Sequence, residues 1–234
     1  MNQKGTLEMI DRKVLLEAYR KMYTSKVMSD IFNENRQVCV FVHANSRGHE
    51  AIQLAMGMQL KKSDWASLYY RDDAFLMGMG WQPAQIMLQL MAKRDDPFSG
   101  GRNYYCHPSY KGPDYPQMIH QSSATGMQAI PTTGVAQGIQ YLEQQNLLAT
   151  SNDHPLVVCS IGDGAMTEGE VSEALQFSVL KDYRLFIWYR IMIGVSVYRE
   201  KKRGQWMLMN MQVDLKDCAE YALMVLILLK AGNV

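Results

Sequence analysis

Leu156-Val157-Val158-Cys159-Ser160-Ile161-Gly162-Asp163-Gly164-Ala165-Met166-Thr167-Glu168-Gly169-Glu170 is the stretch that decides the fold. Leu156 to Ile161 is a short apolar run rich in β-formers, the pattern of a strand buried on both faces in a parallel sheet. Two glycines then bracket an aspartate. From about Glu168 to Leu180, Val171, Leu175 and Val179 recur on one face of a predicted helix. Strand, glycine turn and helix make the geometry that holds a phosphate: glycines let the backbone approach, and a helix start offers free N–H groups. Asp163 would repel a diphosphate unless a cation lay between them. Magnesium meets that need, because it takes oxygens from one or two carboxylates together with those of the phosphates. Gly162-Asp163-Gly164 alone is also a common turn. Its place between strand and helix is what points to metal-bridged diphosphate binding.

Working outward, the same periodicities predict an α/β domain. Arg12 to Phe32 reads as a helix with Leu15, Tyr19, Met22, Val27 and Ile31 along one face. Further helices are predicted over Gly48–Leu60 and Pro83–Lys93, the second with proline in its first turn. Asp95 to Gln121 is rich in Gly, Pro, Tyr and Ser without a period, and a loop that long in a compact domain is usually functional or mobile. Ile130 to Tyr141 is helical again, and its Gly134 and Gly138, four apart, are expected to let a neighbouring helix pack closely.

Composition excludes several function classes. Of 234 residues, 47% are hydrophobic and 20% charged, as in an ordinary globular domain. A net charge of +1 gives no broad field for nucleic acid or an anionic membrane, and the basic run Arg199–Arg203 is short. The opening MNQKGTLEMIDRK lacks the apolar core of a secretion signal. Ala222–Leu229 falls well short of the about 20 apolar residues a membrane span needs. Cys39, Cys106, Cys159 and Cys218 form no CxxC pair, which favours reduced thiols and a cytoplasmic location.

Four motifs, in order, resemble the alpha subunit of the decarboxylating component of 2-oxoacid dehydrogenase complexes, and the resemblance covers most of the first 182 residues. Ser46-Arg47-Gly48-His49-Glu50-Ala51-Ile52 resembles that family's Gly-Gln-Glu-Ala motif, with His49 in the place of glutamine. Tyr69-Tyr70-Arg71-Asp72 is similar to its Tyr-Arg pair, Ser122-Ser123-Ala124-Thr125 to the segment laid along the cofactor's aminopyrimidine, and Gly162–Glu170 to its GDGA-x-x-E-G-D/E stretch. The resemblance implies a thiamine-diphosphate-binding α/β fold with an N-terminal helical arm. It implies cofactor contacts from Tyr70, Arg71, Ser123, Ala124, Thr125, Gly162, Gly164 and Ala165, magnesium on Asp163, and a catalytic role for His107. Arg71 as a surface ion-pair partner, Ser123 as a cap, Glu50 as a helix-start charge and His107 as a structural histidine are the alternatives on the residues alone. The implied reaction is oxidative decarboxylation of a 2-oxoacid, with acyl transfer to a lipoyl-bearing acyltransferase component. The implied partner is a beta subunit or fused beta half that supplies the activating glutamate. An acetoin dehydrogenase, a transketolase-like enzyme and a non-enzymatic fragment are the competing readings.

The resemblance breaks at Tyr183. The family completes its magnesium site with an asparagine roughly thirty residues after the aspartate, and that distance leads here to Met192, whose sulfur is too soft for magnesium. Joining the last base of each codon to the first two of the next restores the pattern. With no freedom, Trp188-Tyr189 then encodes Val, Met192-Ile193 Asp, Trp206-Met207 Asp, Met209-Asn210 Glu and Met211-Gln212 Ala. With degenerate positions filled, Tyr183–Val197 spells PIIYLVQDNDWGIS, which has the family's asparagine at the expected distance. Residues 1–182 are therefore read as a partial alpha-type domain, incomplete at its C-terminal side, and 183–234 as an out-of-frame tail, inactive as a single chain. Within that tail Leu185–Tyr189 is apolar enough to pose as a strand.

Overall fold

A computed structural model describes residues 11–41, 46–119, 122–148 and 154–190. Met192 and the remainder of the expected tail lie outside the described residues. Within them a four-stranded, all-parallel sheet of order β2-β1-β3-β4 is built from β1 (Trp65–Ser67), β2 (Gln117–Met118), β3 (Val157–Gly162) and β4 (Leu185–Arg190). The helices are α1 (Arg12–Glu34), α2 (Glu50–Gly57), α3 (Asp73–Gly78), α4 (Pro83–Leu90), α5 (Ala129–Gln144) and α6 (Gly169–Leu180). The α/β class expected from the sequence is the class observed.

β3 is the spine of the sheet, and its side chains divide the core in two. Val158 joins Ala66, Leu68, Phe75, Leu76, Ile86 and Leu90 on the face covered by α1–α4. Cys159 and Ile161 pack on the opposite face with Ala129, Val171 and Ala174 from α5 and α6. A strand clothed on both faces must be apolar throughout, which is why Leu156–Ile161 carries no polar alternation. At the opposite end, the Asp64 carboxylate accepts from the amides of Lys61 (2.6 Å) and Leu156 (2.8 Å), tying the entrances of β1 and β3 together.

α4 starts as its sequence predicts: Pro83 occupies the first turn, and Gln82 and Gln85 form a capping box. α1 is capped by Asp11, whose carboxylate accepts from the Lys13 amide at 2.9 Å. Of the apolar row predicted for α1, Met22 packs against the core and the other four residues face the other way. Leu15, Tyr19, Val27 and Ile31 are exposed, and Ser25, Met28, Ser29 and Phe32 are buried. Ser25 holds its inner place because it has polar partners there: its Oγ lies 3.2 Å from Ser46 Oγ and donates to Asp73 at 3.3 Å. On α6, Val179 is likewise 82% exposed, and Ala174 and Ser178 take the inner positions beside Val171.

The expected close packing at Gly134 and Gly138 is not observed, since a Cβ added at either would meet nothing within 4 Å. Close approach occurs instead between α2 and α3. A Cβ on Gly57 would stand 2.4 Å from the Phe75 carbonyl oxygen, and one on Gly78 would stand 3.0 Å from Gly57 Cα. The long loop contains β2 and an isolated antiparallel bridge between Tyr110 and Met118. It is pinned by Asp96, which accepts from the amides of Phe98, Ser99 and Gly101, and by Tyr115, stacked on Trp81 at 4.0 Å. β4 pairs with β3 along its whole length, from Val157↔Leu185 to Gly162↔Arg190. The strand-like run at the start of the expected tail is thus a strand.

Candidate functional site

The chain passes from β1 to β2 on one side and then crosses to β3 on the other, so β1 and β3 flank the point where strand order reverses. In open α/β sheets ligands bind beyond the carboxyl ends of the strands at such a point. Two predicted motifs leave from there: Tyr69–Asp72 follows β1, and Gly162–Glu170 ends β3.

They meet. Gly162 lies under the Tyr69 ring, and a Cβ added to it would stand 3.4 Å from that ring's Cε2 and from its hydroxyl. Tyr70 packs edge-on against Tyr69 with centroids 4.6 Å apart, and the Arg71 guanidinium carbon sits 5.0 Å from the Tyr70 centroid. The Tyr69–Asp72 turn is closed twice: the Asp72 amide donates to the Tyr69 carbonyl at 2.9 Å, and the Tyr69 amide donates to the Asp72 carboxylate at 2.8 Å. A series of contacts therefore runs from Gly162 to Arg71, one residue away from Asp163.

The third predicted segment arrives from α5. Ser122, Ser123, Ala124 and Thr125 are exposed, and the Ala124 amide donates to Ser122 Oγ at 3.2 Å, so Ser122 rather than Ser123 caps the turn. Gly126 follows with φ of +80°, and a Cβ there would press on Val171 Cγ2 at 3.0 Å and on Glu168 Cβ at 3.2 Å. The turn thus rests on the start of α6. Gln128, buried at the head of α5, donates to the Ser160 carbonyl of β3 at 3.0 Å and locks α5 to the strand that carries Asp163.

The Gly-Asp-Gly turn differs in detail from the prediction. Asp163–Thr167 is a turn of 3₁₀-helix, and α6 begins only at Gly169, so the Gly164 and Ala165 amides open the tighter helix first. Asp163 is half-buried. Gly164 is exposed, with nothing within 4 Å of an added Cβ, and Ala165 is buried among Ala129, Cys159, Ile161 and Val171. Among the described residues no group of three or more His, Cys, Asp and Glu is placed to hold a metal. The half-buried carboxylate and the open glycine beside it suit a cation-bridged phosphate that brings most of its own oxygens.

His107 is held by a different element. It is buried, its Nδ1 lies 2.9 Å from the Tyr105 carbonyl, and its ring meets Tyr104 edge-on at 5.6 Å. Gln89 of α4 accepts from the Cys106 amide at 2.8 Å and reaches the His107 carbonyl at 3.5 Å, and Cys106 itself adopts φ of +55°.

Two residues went unnoticed in the sequence: Gln53 and Gln89, each fully buried among apolar neighbours of its helix and each bonded to the main chain beside a candidate residue. Their signal was a polar amide at a core-facing helical position.

Helices clothing a parallel sheet, with glycine turns and a carboxylate gathered at its switch point, define an α/β protein whose candidate site lies at the carboxyl edge of its strands. A family model described as "Dehydrogenase E1 component" matches residues 19–204, and the chain belongs to that family. It is 25% identical over 160 residues to a 3-methyl-2-oxobutanoate dehydrogenase subunit alpha of Mycobacterium tuberculosis, covering 67% of this chain and 37% of that protein. It is 25% identical over 174 residues to 2-oxoisovalerate dehydrogenase subunit alpha 1, mitochondrial, of Arabidopsis thaliana, covering 74% and 34%. Against the 2-oxoisovalerate dehydrogenase subunit alpha of Bacillus subtilis the figures are 23% over 181 residues, 76% and 51%. The chain thus spans about a third to a half of the length of these relatives.

Proposed function

We propose that this chain is the front part of an alpha subunit, or alpha half, of the decarboxylating component of a cytoplasmic 2-oxoacid dehydrogenase complex. Its partners are a beta subunit or fused beta half and a lipoyl-bearing acyltransferase. The observation that carries the reading is the convergence of three sequence-distant motifs: Tyr69 over Gly162, and Gly126 against Glu168 and Val171. Thiamine diphosphate, when bound, supplies the nucleophilic carbon and the electron sink for loss of carbon dioxide from a 2-oxoacid.

The chain's own residues bind and orient. Asp163 is a magnesium ligand, and Arg71, steadied over Tyr70, offsets diphosphate charge. The backbone of Gly162, Gly164 and Ala165 would hold the phosphates, Ser123, Ala124 and Thr125 would support the aminopyrimidine, and His107 would be the catalytic histidine. Residues 183–234 are an out-of-frame tail, so the second magnesium ligand is missing and the chain alone turns over no 2-oxoacid. A second reading, in which native sequence continues past residue 182, is favoured by the family match running to residue 204 and by the full pairing of β4.

Calorimetric titration with thiamine diphosphate, with and without magnesium, tests the function. The chain as it stands binds weakly or not at all. A version with the other frame restored from codon 183, supplied with its beta part, binds in a magnesium-dependent way that Asp163→Ala abolishes. Turnover by the 234-residue chain alone, or magnesium-independent binding by the restored version, would refute the proposal.

A further inference from the structure

Gln89 is fully buried on the inner side of α4, and its carboxamide is committed to the turn that carries His107. The His107 amide donates to the Tyr104 carbonyl at 3.2 Å, closing a β-turn with Tyr105 and Cys106 at its centre. Cys106 has φ of +55° and Tyr105 keeps a negative φ, the signs of a type II turn. That type favours glycine at its third position, because a Cβ is crowded there. Turning over the peptide between Tyr105 and Cys106 gives a type I turn, which accepts cysteine, and the bond from His107 to Tyr104 survives the change. The turn's own closing bond therefore does not choose between the two forms.

The partners of that central peptide do. Its N–H, from Cys106, donates to Gln89 Oε1 at 2.8 Å, and its carbonyl, from Tyr105, lies 2.9 Å from His107 Nδ1. A carbonyl only accepts, so the second bond needs the proton on Nδ1, and the neutral ring then carries its lone pair on Nε2. Gln89 Nε2 reaches the His107 carbonyl at 3.5 Å, which keeps Oε1 facing Cys106. An imidazole can rotate or change tautomer when its acceptor turns away. The Gln89 oxygen has no such escape: in the type I form it would lose its donor inside the core, and a buried unpaired acceptor is costly.

We propose that Gln89 is a positioning residue: by accepting the Cys106 N–H it holds the Tyr105–Cys106 peptide in its type II orientation and so sets the Nδ1–H tautomer of His107. The use of that tautomer in turnover rests on the reading of His107 as the catalytic histidine. The coupling of Gln89 to the tautomer does not.

The test is nuclear magnetic resonance on the isotope-labelled 234-residue chain, without ligand, at a pH where imidazole is neutral. One signal is the Overhauser effect between Tyr105 Hα and the Cys106 amide proton, strong in a type II turn and weak in a type I turn. The other is the pair of ring ¹⁵N shifts of His107, assigned by their loss in His107→Gln, which report the tautomer. The unmodified chain is expected to give a strong effect and the Nδ1–H form. In Gln89→Met the strong effect is lost and the ring shifts move toward the Nε2–H form. Adding Cys106→Gly to Gln89→Met restores the strong effect, since glycine accepts a positive φ, and general damage to the core would give no such rescue. A folded Gln89→Met chain that keeps either signal overturns the proposal, as does a folded double variant without the rescue or a weak effect in the unmodified chain. Should Gln89→Met not fold, the unmodified chain decides: a scalar coupling across the hydrogen bond, from the Cys106 nitrogen to Gln89 Cδ, supports the clasp, and its absence overturns it. The catalytic reading is judged separately, since full turnover by His107→Gln in the frame-restored enzyme would remove it and leave the resonance signals to decide the role of Gln89.

Discussion

Asp73 shows how far a single buried carboxyl can set the behaviour of this chain. Burial pushes it up from 3.8 to about 7, against the lowering effect of the Ser46 hydrogen bond, and the nearby Glu50 carboxylate pushes the same way as burial. Between pH 4 and 7 the folded chain therefore keeps a proton that the unfolded chain has lost. The sign follows: this group's contribution to stability falls as pH rises through that window and levels off above about 7, by an amount on the order of 4 kcal/mol at most. Asp73→Asn, neutral and of the same shape, is expected to resist urea better than the parent at pH 8 and to gain nothing at pH 4. Equal urea midpoints of the two proteins at both pH values would show that Asp73 is ionised without penalty. None of this was legible in the sequence, where the motif ended at Asp72 and Asp73 was only the residue after it. Arg71, Ser123 and Asp163 were picked out as candidates because their residue types sit at motif spacing. Asp73, Gln53 and Gln89 were not, because what matters about them is which backbone or carboxyl they are buried against.

At the scale of the elements, glycine position separates two helices that look alike in sequence. Gly134→Ala on α5 adds a methyl where nothing stands within 4 Å, in a helix interior where alanine is better than glycine by about 0.5–1 kcal/mol. It is expected to raise the melting temperature. Gly57→Ala on α2 drives a Cβ to 2.4 Å from the Phe75 carbonyl and must part α2 from α3, at a cost of at least about 2 kcal/mol. Thermal unfolding of the two single variants checks both signs, and a shift in the same direction for both would contradict the packing described. Spacing four apart pointed to Gly134 and Gly138 as the contact, but spacing cannot tell an open helix face from a closed one. The same limit misplaced the inner row of α1, where Ser25 holds the interior through polar partners supplied some twenty to fifty residues away. β3 was read correctly because burial on both faces leaves an apolar run that has no face to mistake.

For the whole molecule, the reading frame yields a direct measurement. Sequencing the gene across codon 183 and past the stop is expected to show that a change of one or two bases opens a longer frame, with asparagine at the place of Met192. A stop codon within a few triplets of codon 183 in the other frame would make residues 183–234 native sequence. Family resemblance reached the α/β class and the motifs at the sheet's carboxyl edge, since those depend on short local patterns. β4 was left with the tail because its pairing with β3 is a main-chain ladder, which asks only for an extended, mostly apolar run.

The sheet also sets a timetable for synthesis. β1 ends at Ser67 and its partner β3 starts at Val157, and the Asp64 carboxylate waits 92 residues for the Leu156 amide. At the pace of a ribosome that gap lasts roughly 5 to 20 s. Once Met118 has been made the α1–α4 cluster has every buried member but Val158, while one edge of β1 still has no strand beside it. A nascent chain paused in that interval presents an open apolar edge, the kind of surface that chaperones bind and that other chains pair with. The yield of folded protein should therefore depend on how quickly codons 68 to 156 are translated.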